Sequence, residues 1–147
     1  MKLGIASDHR GYNLKEEIKN RIKDIEIVDY GTNSLDSCDY PDYAFKLGEA
    51  VASNKVDYGV AICGSGMGIS IACNKVKGVR CAKVTDFEEA KVTRIDNNSN
   101  IVAFSERTTI DQAIAIIDTF ISTPFSKEEK HQRRVNKIIA YEEDHDR

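Results

Sequence analysis

The chain has 147 residues, 41% of them hydrophobic, and a formal net charge of −3. This length and apolar content predict a single domain over residues 1–147, and the slight acidic excess argues against a nucleic-acid partner or an anionic membrane surface. The first residues fit a strand rather than a signal peptide, and no stretch approaches about 18 consecutive apolar residues. We therefore expect a cytoplasmic protein with no membrane partner.

Apolar runs of strand length alternate with amphipathic segments along the whole chain. In chain order the pattern predicts a strand at 2–7, a helix at 13–23, a strand at 25–30, a helix at 41–52, a strand at 56–62, a short helix at 69–74, a strand at 79–85, a helix from 86, a strand at 100–105, a helix at 109–121 and a charged helix from 126. Near-continuous apolar strands separated by helices predict a parallel sheet that is covered on both faces. The expected fold is a Rossmann-like α/β three-layer sandwich with five parallel strands and helices on both faces.

Two helix starts carry capping patterns. Asp86 is followed three residues later by Glu89, and Ser126 is followed at the same distance by Glu129. Such pairs satisfy the free N–H groups of a first helical turn. They predict that helices begin at these two places.

Cys63 follows the apolar run 56–62 and opens into a glycine-spaced turn at 64–68 that leads into a short helix. Unpaired N–H groups and a partial positive charge at a helix start stabilise a thiolate and bind anions. The alternative is that Cys63 is a small buried hydrophobic residue at a strand end. Both interpretations stay open on the local sequence.

Ligands of open parallel sheets bind beyond the carboxyl ends of the strands. Asp8 and His9 follow the first predicted strand, segment 94–98 ends the helix after the fourth, and a basic cluster at 130–134 opens the last helix. Alone, the basic cluster is typical of a solvated helix face. Together with the glycine-spaced turn it favours phosphate binding.

The cysteines lack the spacing of a metal or disulfide framework. They lie at Cys38, Cys63, Cys73 and Cys81, without a paired C-x-x-C pattern. We therefore expect no bound metal and no structural disulfide.

An ordered set of segments spans nearly the whole chain. It comprises GIASDHRG at 4–11, DYGT at 29–32, DYP at 39–41, CGSGMGIS at 63–70, ACNK at 72–75, GVR at 78–80 and HQRRV at 131–135. With these segments the chain resembles the ribose-5-phosphate isomerase B family, which includes the subunits of galactose-6-phosphate isomerase.

The resemblance implies interconversion of ribose 5-phosphate and ribulose 5-phosphate in the pentose phosphate pathway, through a cis-enediolate and without any cofactor. It assigns the base to Cys63, and a hydroxyl that positions or protonates the sugar oxygens to Ser65. It also implies a homodimer or a dimer of dimers, with the active site between two subunits. The substrate-binding positions that it implies are Asp8, His9, Gly64, Ser65, Gly66, Met67, Gly68, Asn97, Arg107, Lys130 and Arg134.

The chain departs from the family pattern at two positions. Asp96 stands where the family commonly has the histidine that assists opening of the furanose ring, and it is counted here with the catalytic residues. An ionised carboxylate accepts a proton but donates none, so ring opening uses Asp96 differently, uses water, or is slow. Lys130 replaces a usual arginine, which keeps the charge but loses the bidentate fork.

Other functions remain as alternatives. Within the family, the alternatives are a hexose-6-phosphate isomerase, acting on galactose or allose 6-phosphate, and a subunit that needs a different partner chain to complete its site. A non-catalytic nucleotide-binding module is disfavoured, because the glycine spacing at 64–68 is not G-x-G-x-x-G and follows the third strand. A cysteine-dependent phosphatase would need an arginine where the chain has Ile69.

Overall fold

A computed structural model describes residues 1–145 and contains five strands and six helices in that range. Their order is β1 (Lys2–Ser7), α1 (Tyr12–Arg21), β2 (Glu26–Asp29), α2 (Tyr40–Ala52), β3 (Tyr58–Cys63), α3 (Met67–Cys73), β4 (Cys81–Lys83), α4 (Phe87–Asn97), β5 (Ile101–Ser105), α5 (Ile110–Ser122) and α6 (Glu129–Asp144). All strand pairs are parallel, in the spatial order β2-β1-β3-β5-β4. The predicted Rossmann-like α/β fold is confirmed.

The strands are buried on both faces, which explains their near-continuous apolar sequences. Leu3 and Ile5 of β1 pack into a core with α1 and α5. Ala6 of the same strand faces a second core with α2 and α3. Burial of both sheet faces is what requires helices on each side.

Most predicted boundaries agree with the structure, and two differ. β4 covers only Cys81–Lys83, rather than 79–85, because it is an edge strand that pairs with β5 alone. α6 begins at Glu129 rather than at 126. The hydroxyl of Ser126 instead contacts His131 Nδ1 at 2.7 Å and accepts the Glu128 N–H.

The strand order places a crevice between β1 and β3. The chain leaves β1 through α1 to β2 on one side, then returns through α2 past β1 to β3 on the other. Such a reversal of strand order opens a ligand-binding crevice at the carboxyl ends of the two strands. The segments that follow Ser7 and Cys63 therefore lie side by side.

No helix in the described range 1–145 combines the length and the hydropathy that crossing a membrane requires.

Candidate active site

The turn after β3 holds the Cys63 thiol beside backbone donors. Cys63 is 4% exposed, and the Gly66 N–H donates a hydrogen bond to its Sγ at 3.2 Å. The Met67 N–H donates to Ser65 Oγ at 3.1 Å. Because a hydroxyl that accepts one hydrogen bond still has its own hydrogen to donate, Ser65 remains available to a ligand.

Gly66 is required by the path of this turn. Its φ is +80°, and a Cβ at this position would lie 2.7 Å from the backbone carbonyl carbon of Phe104. No other residue type fits both the left-handed conformation and the contact with β5. The glycine therefore allows the turn to pack directly against the neighbouring strand.

Asp8 and His9 lie on the other side of the crevice. Asp8 is 6% exposed, and its Oδ1 accepts the N–H groups of Arg10 and Gly11 at 3.0 and 3.1 Å. His9 Nδ1 accepts the backbone N–H of Cys38 at 3.2 Å. In a neutral imidazole this contact leaves the proton on Nε2, where it can be donated to a ligand.

These groups share one cavity. A space of about 590 Å³ is lined by Asp8, His9, Cys63, Ser65 and Gly68, with Tyr40 and its neighbours at the start of α2 opposite them. The volume lies in the range of small-molecule sites. The structure thus brings together the predicted base, the predicted hydroxyl and the predicted substrate-binding residues Asp8 and His9.

A second cavity of about 550 Å³ lies directly beyond the glycine turn. Its lining includes Gly64, Ser65 and Met67, together with the cationic side chains of Lys83 and Arg107. The predicted substrate-binding residue Arg107 is therefore next to the Cys63 turn, although it does not line the cavity that contains Cys63.

Arg10 is a site residue to which the sequence analysis gave no role. Its side chain lines both cavities and donates two hydrogen bonds to Glu106, at 3.0 and 2.9 Å. The hydrogen bond to Glu106 is the largest cause of the raised pKa of Arg10, and the negative charges of Glu106 and Asp8 add to it. The sequence carries no signal for this pair, because its members are 96 residues apart.

Asp96 and Asn97 lie at the opposite end of the strands from Cys63. The Asn97 carbonyl accepts a hydrogen bond from Arg80 Nε at 3.1 Å, and the Arg80 N–H binds Asn100 Oδ1 at 2.8 Å. Arg80 and Asn100 immediately precede β4 and β5, so these contacts fix Asn97 at the amino ends of the strands. The expectation that segment 94–98 lies with the residues after the strands is corrected, because α4 runs antiparallel to the sheet.

The predicted ligands Lys130 and Arg134 belong to this second group. They lie exposed on α6, and His131 between them approaches Asp96 at the end of α4, with 3.5 Å between Nε2 and Oδ1. The five residues of β5 alone span roughly 16 Å. A single chain therefore presents two separate groups of predicted site residues, one around Cys63 and one around Asp96.

No group of three or more His, Cys, Asp or Glu side chains within residues 1–145 is arranged to hold a metal ion. Of the remaining thiols, Cys73 is buried in the core beside Cys81. A hydrogen bond to Cys81, followed by burial, raises the pKa of the Cys73 thiol.

The fold and the cavity define a Rossmann-like α/β protein with a cavity at the switch point of the sheet. The family model described as Ribose/Galactose Isomerase matches residues 3–138. The chain belongs to this family and is an isomerase. The resemblance drawn from the sequence segments is confirmed.

Individual relatives match over nearly their full length. A putative sugar phosphate isomerase of Bacillus subtilis is 45% identical, over 97% of this chain and 98% of that protein. Ribose-5-phosphate isomerase B of Escherichia coli is 37% identical, over 97% of each.

Solved structures agree with this assignment. The chain superposes on ribose-5-phosphate isomerase B of Clostridium thermocellum with a TM-score of 0.93 and 46% identity, covering 98% of this chain and 99% of that one. It is also similar to the Mycoplasma genitalium enzyme with bound ribulose-5-phosphate, with a TM-score of 0.89, 41% identity and coverage of 97% and 96%.

Proposed function

We propose that the protein interconverts ribose 5-phosphate and ribulose 5-phosphate, with Cys63 as the general base. The observation that carries the proposal is the Cys63 thiol on a turn of backbone N–H groups, in a cavity that also contains Asp8, His9 and Ser65. The relative with bound ribulose-5-phosphate supports this choice of substrate. The reaction belongs to the pentose phosphate pathway, and we expect it to take place in the cytoplasm.

The Cys63 thiolate removes the proton from C2 of the open-chain aldose. The electron pair forms a cis-enediolate, and the thiol then returns the proton to C1 while the O2 proton passes to O1. Turn N–H groups between Gly64 and Gly68 stabilise the negative charge that develops on the sugar oxygens, a contribution of about 10²-fold to 10³-fold per donor. Ser65 donates its free hydroxyl hydrogen to the same oxygens.

The other predicted site residues bind the sugar hydroxyls and the phosphate of the substrate. The held carboxylate of Asp8 contacts the sugar hydroxyls, and His9 Nε2 points its proton at the substrate. Arg107, Lys130 and Arg134 supply positive charge for the phosphate. Because the protein as a whole has a net charge of −3, an anionic substrate has to be attracted by such a local group of cationic side chains.

A second copy of the chain completes the site. Within one chain Asp96, Asn97, Lys130 and Arg134 are separated from Cys63 by the length of the sheet. A homodimer, alone or paired into a tetramer, brings these residues of one copy to the Cys63 cavity of the other. Asn97 then adds a side-chain donor to the enediolate.

The test is turnover of ribose 5-phosphate without added metal. We expect the wild type to form ribulose 5-phosphate and the Cys63→Ser variant to lose at least about 10²-fold in kcat, because a serine hydroxyl is a far weaker base. Cys81→Ser is the matched control, because Cys81 is half-buried on β4 and lines neither cavity. A fully active Cys63→Ser variant would overturn the assignment of the base.

The same assay on galactose 6-phosphate and allose 6-phosphate tests the second candidate substrate class. The family description that covers both ribose and galactose isomerases favours including it. A folded wild type that turns over only a hexose 6-phosphate would contradict the pentose assignment and leave the role of Cys63 intact.

A further inference from the structure

Asp96 lies against a histidine that the proposed mechanism does not use. The His131 side chain is only 12% exposed, and its Nε2 lies 3.5 Å from Asp96 Oδ1. Its Nδ1 lies 2.7 Å from Ser126 Oγ and 3.4 Å from Glu128 Oε2. Each nitrogen of the imidazole therefore has at least one oxygen atom close to it.

Ser126 holds this ring in one orientation. Its Oγ accepts the Glu128 N–H at 3.2 Å, which ties the hydroxyl to the turn before α6. The contact replaces the helix cap that the sequence pattern predicts for Ser126, so the hydroxyl serves the imidazole instead of the helix start. An orienting partner on one nitrogen leaves the other nitrogen aimed at its second partner.

Asp96 faces both His131 and solvent. Its side chain is 43% exposed, and within residues 1–145 its Oδ2 accepts no hydrogen bond. The carboxyl group can therefore turn between the imidazole and a substrate held by the second copy. Apo structures often hold catalytic contacts at such long distances, and they shorten when the substrate binds.

Ribose 5-phosphate exists mainly as a closed furanose, which must open before Cys63 can act. Opening requires a proton on the ring oxygen O4 as the bond between C1 and O4 breaks. An ionised carboxylate alone has no proton to give, so Asp96 can act as this donor only after it has received a proton.

We propose that His131 supplies, through Asp96, the proton that opens the sugar ring. This inference rests on the proposed function. His131, protonated on both ring nitrogens, gives its Nε2 proton to Asp96 Oδ1 and becomes neutral. The carboxyl group then turns about its Cβ–Cγ bond and gives this same proton to O4. The bond between C1 and O4 breaks with its electron pair on O4, the C1 hydroxyl proton leaves to water, and C1 becomes the aldehyde. Solvent then reprotonates His131.

Ribulose 5-phosphate separates ring opening from the Cys63 step. Its 5-hydroxyl carries the phosphate, so it cannot close into a furanose. Exchange of its C1 hydrogen with deuterium from D2O therefore reports proton transfer at Cys63 without any ring chemistry. Turnover of ribose 5-phosphate reports both steps.

The decisive variant is His131→Gln, which keeps hydrogen-bonding groups but carries no transferable proton. We expect kcat for ribose 5-phosphate to fall on the order of 10²-fold, the usual lower value for a proton donor. The rate of deuterium exchange into ribulose 5-phosphate, and the KM for ribulose 5-phosphate in that exchange, are expected to change by less than about twofold. The matched control is His145→Gln, since His145 lies exposed at the far end of α6.

A second variant tests the order of the relay. Asp96→His places a proton donor directly at the substrate, so adding it to His131→Gln is expected to restore turnover at least about tenfold. Equal losses in turnover and exchange, or an unchanged kcat in His131→Gln, would overturn the relay. If the wild type showed neither turnover nor exchange, the proposed function itself would fail, and the relay with it.

Discussion

The side chain of Lys15 is fully buried on α1, and its ammonium group contacts two carboxylates. Its Nζ lies 2.5 Å from Asp29 at the end of β2 and 2.9 Å from Glu16. Burial raises the pKa of Asp29, but hydrogen bonds from Lys15 and Lys19 lower it by more, so that the net shift is downward. The ion pair therefore joins α1 to the strand that leads into Gly31.

We predict that Lys15→Ala lowers the free energy of unfolding by about 3 kcal/mol in urea denaturation near pH 7, because it leaves a partly buried carboxylate with fewer donors. Exposed Lys91→Ala is the control, with an expected change below about 0.5 kcal/mol. The difference between Lys15→Ala and wild type narrows as the pH falls below about 4, because a carboxyl with a lowered pKa loses its stabilising contribution on protonation. Equal stability of the two variants at pH 7 would contradict this role.

Single residues show how far sequence reasoning reaches. Cys63 and its turn could be predicted, because a thiol after an apolar strand and before spaced glycines is a local pattern. The pairing of Arg10 with Glu106 and of Lys15 with Asp29 could not, because it depends on which strand ends the fold brings together.

At the scale of elements, the turn between β3 and α3 depends on the conformation of Gly66. Its φ of +80° and the approach of Phe104 leave no room for a side chain. Gly78 has a similar φ of +90°, but there a Cβ would meet only Ala52, at 3.4 Å from its Cβ and 3.9 Å from its Cα, which is ordinary van der Waals contact. Comparing substitutions at the two glycines therefore distinguishes the cost of a left-handed backbone, which both share, from the cost of steric overlap, which arises only at Gly66.

We predict that Gly66→Ala destabilises the protein by about 2 kcal/mol more than Gly78→Ala. Both substitutions bear the left-handed penalty of about 1–2 kcal/mol, and Gly66→Ala adds overpacking of about 1–3 kcal/mol against β5. Urea denaturation measures the difference, and ribose 5-phosphate turnover is expected to fall only in Gly66→Ala. Matching losses of stability in the two variants would show that the contact with Phe104 is relieved at little cost.

The helices illustrate a limit of sequence patterns. Asp86 caps α4 as predicted, accepting the Glu89 N–H at 2.9 Å, because this cap is a local contact. The Ser126 pattern does not start α6, because a side chain five residues away competes for the hydroxyl. The position of segment 94–98 depends on the direction of α4 relative to the sheet, which capping residues do not encode.

At the scale of the whole molecule, the alternation of strands and helices was enough to predict the sheet and its two covered faces. The site is less predictable, because some of its proposed residues lie at the carboxyl ends of the strands and others at the amino ends. The proposed dimer explains this separation. Each copy then contributes Cys63 to one site and Arg134 to the other.

Complementation between two inactive variants tests this account most directly. We would prepare Cys63→Ala and Arg134→Ala, confirm that each alone has lost turnover of ribose 5-phosphate, then unfold and refold them as an equimolar mixture. Half of the resulting dimers pair one variant with the other, and each such dimer contains one intact site, so the account predicts recovery of about a quarter of wild-type kcat. A mixture that stays as inactive as its components, although mixed dimers form, would contradict a site shared between two chains.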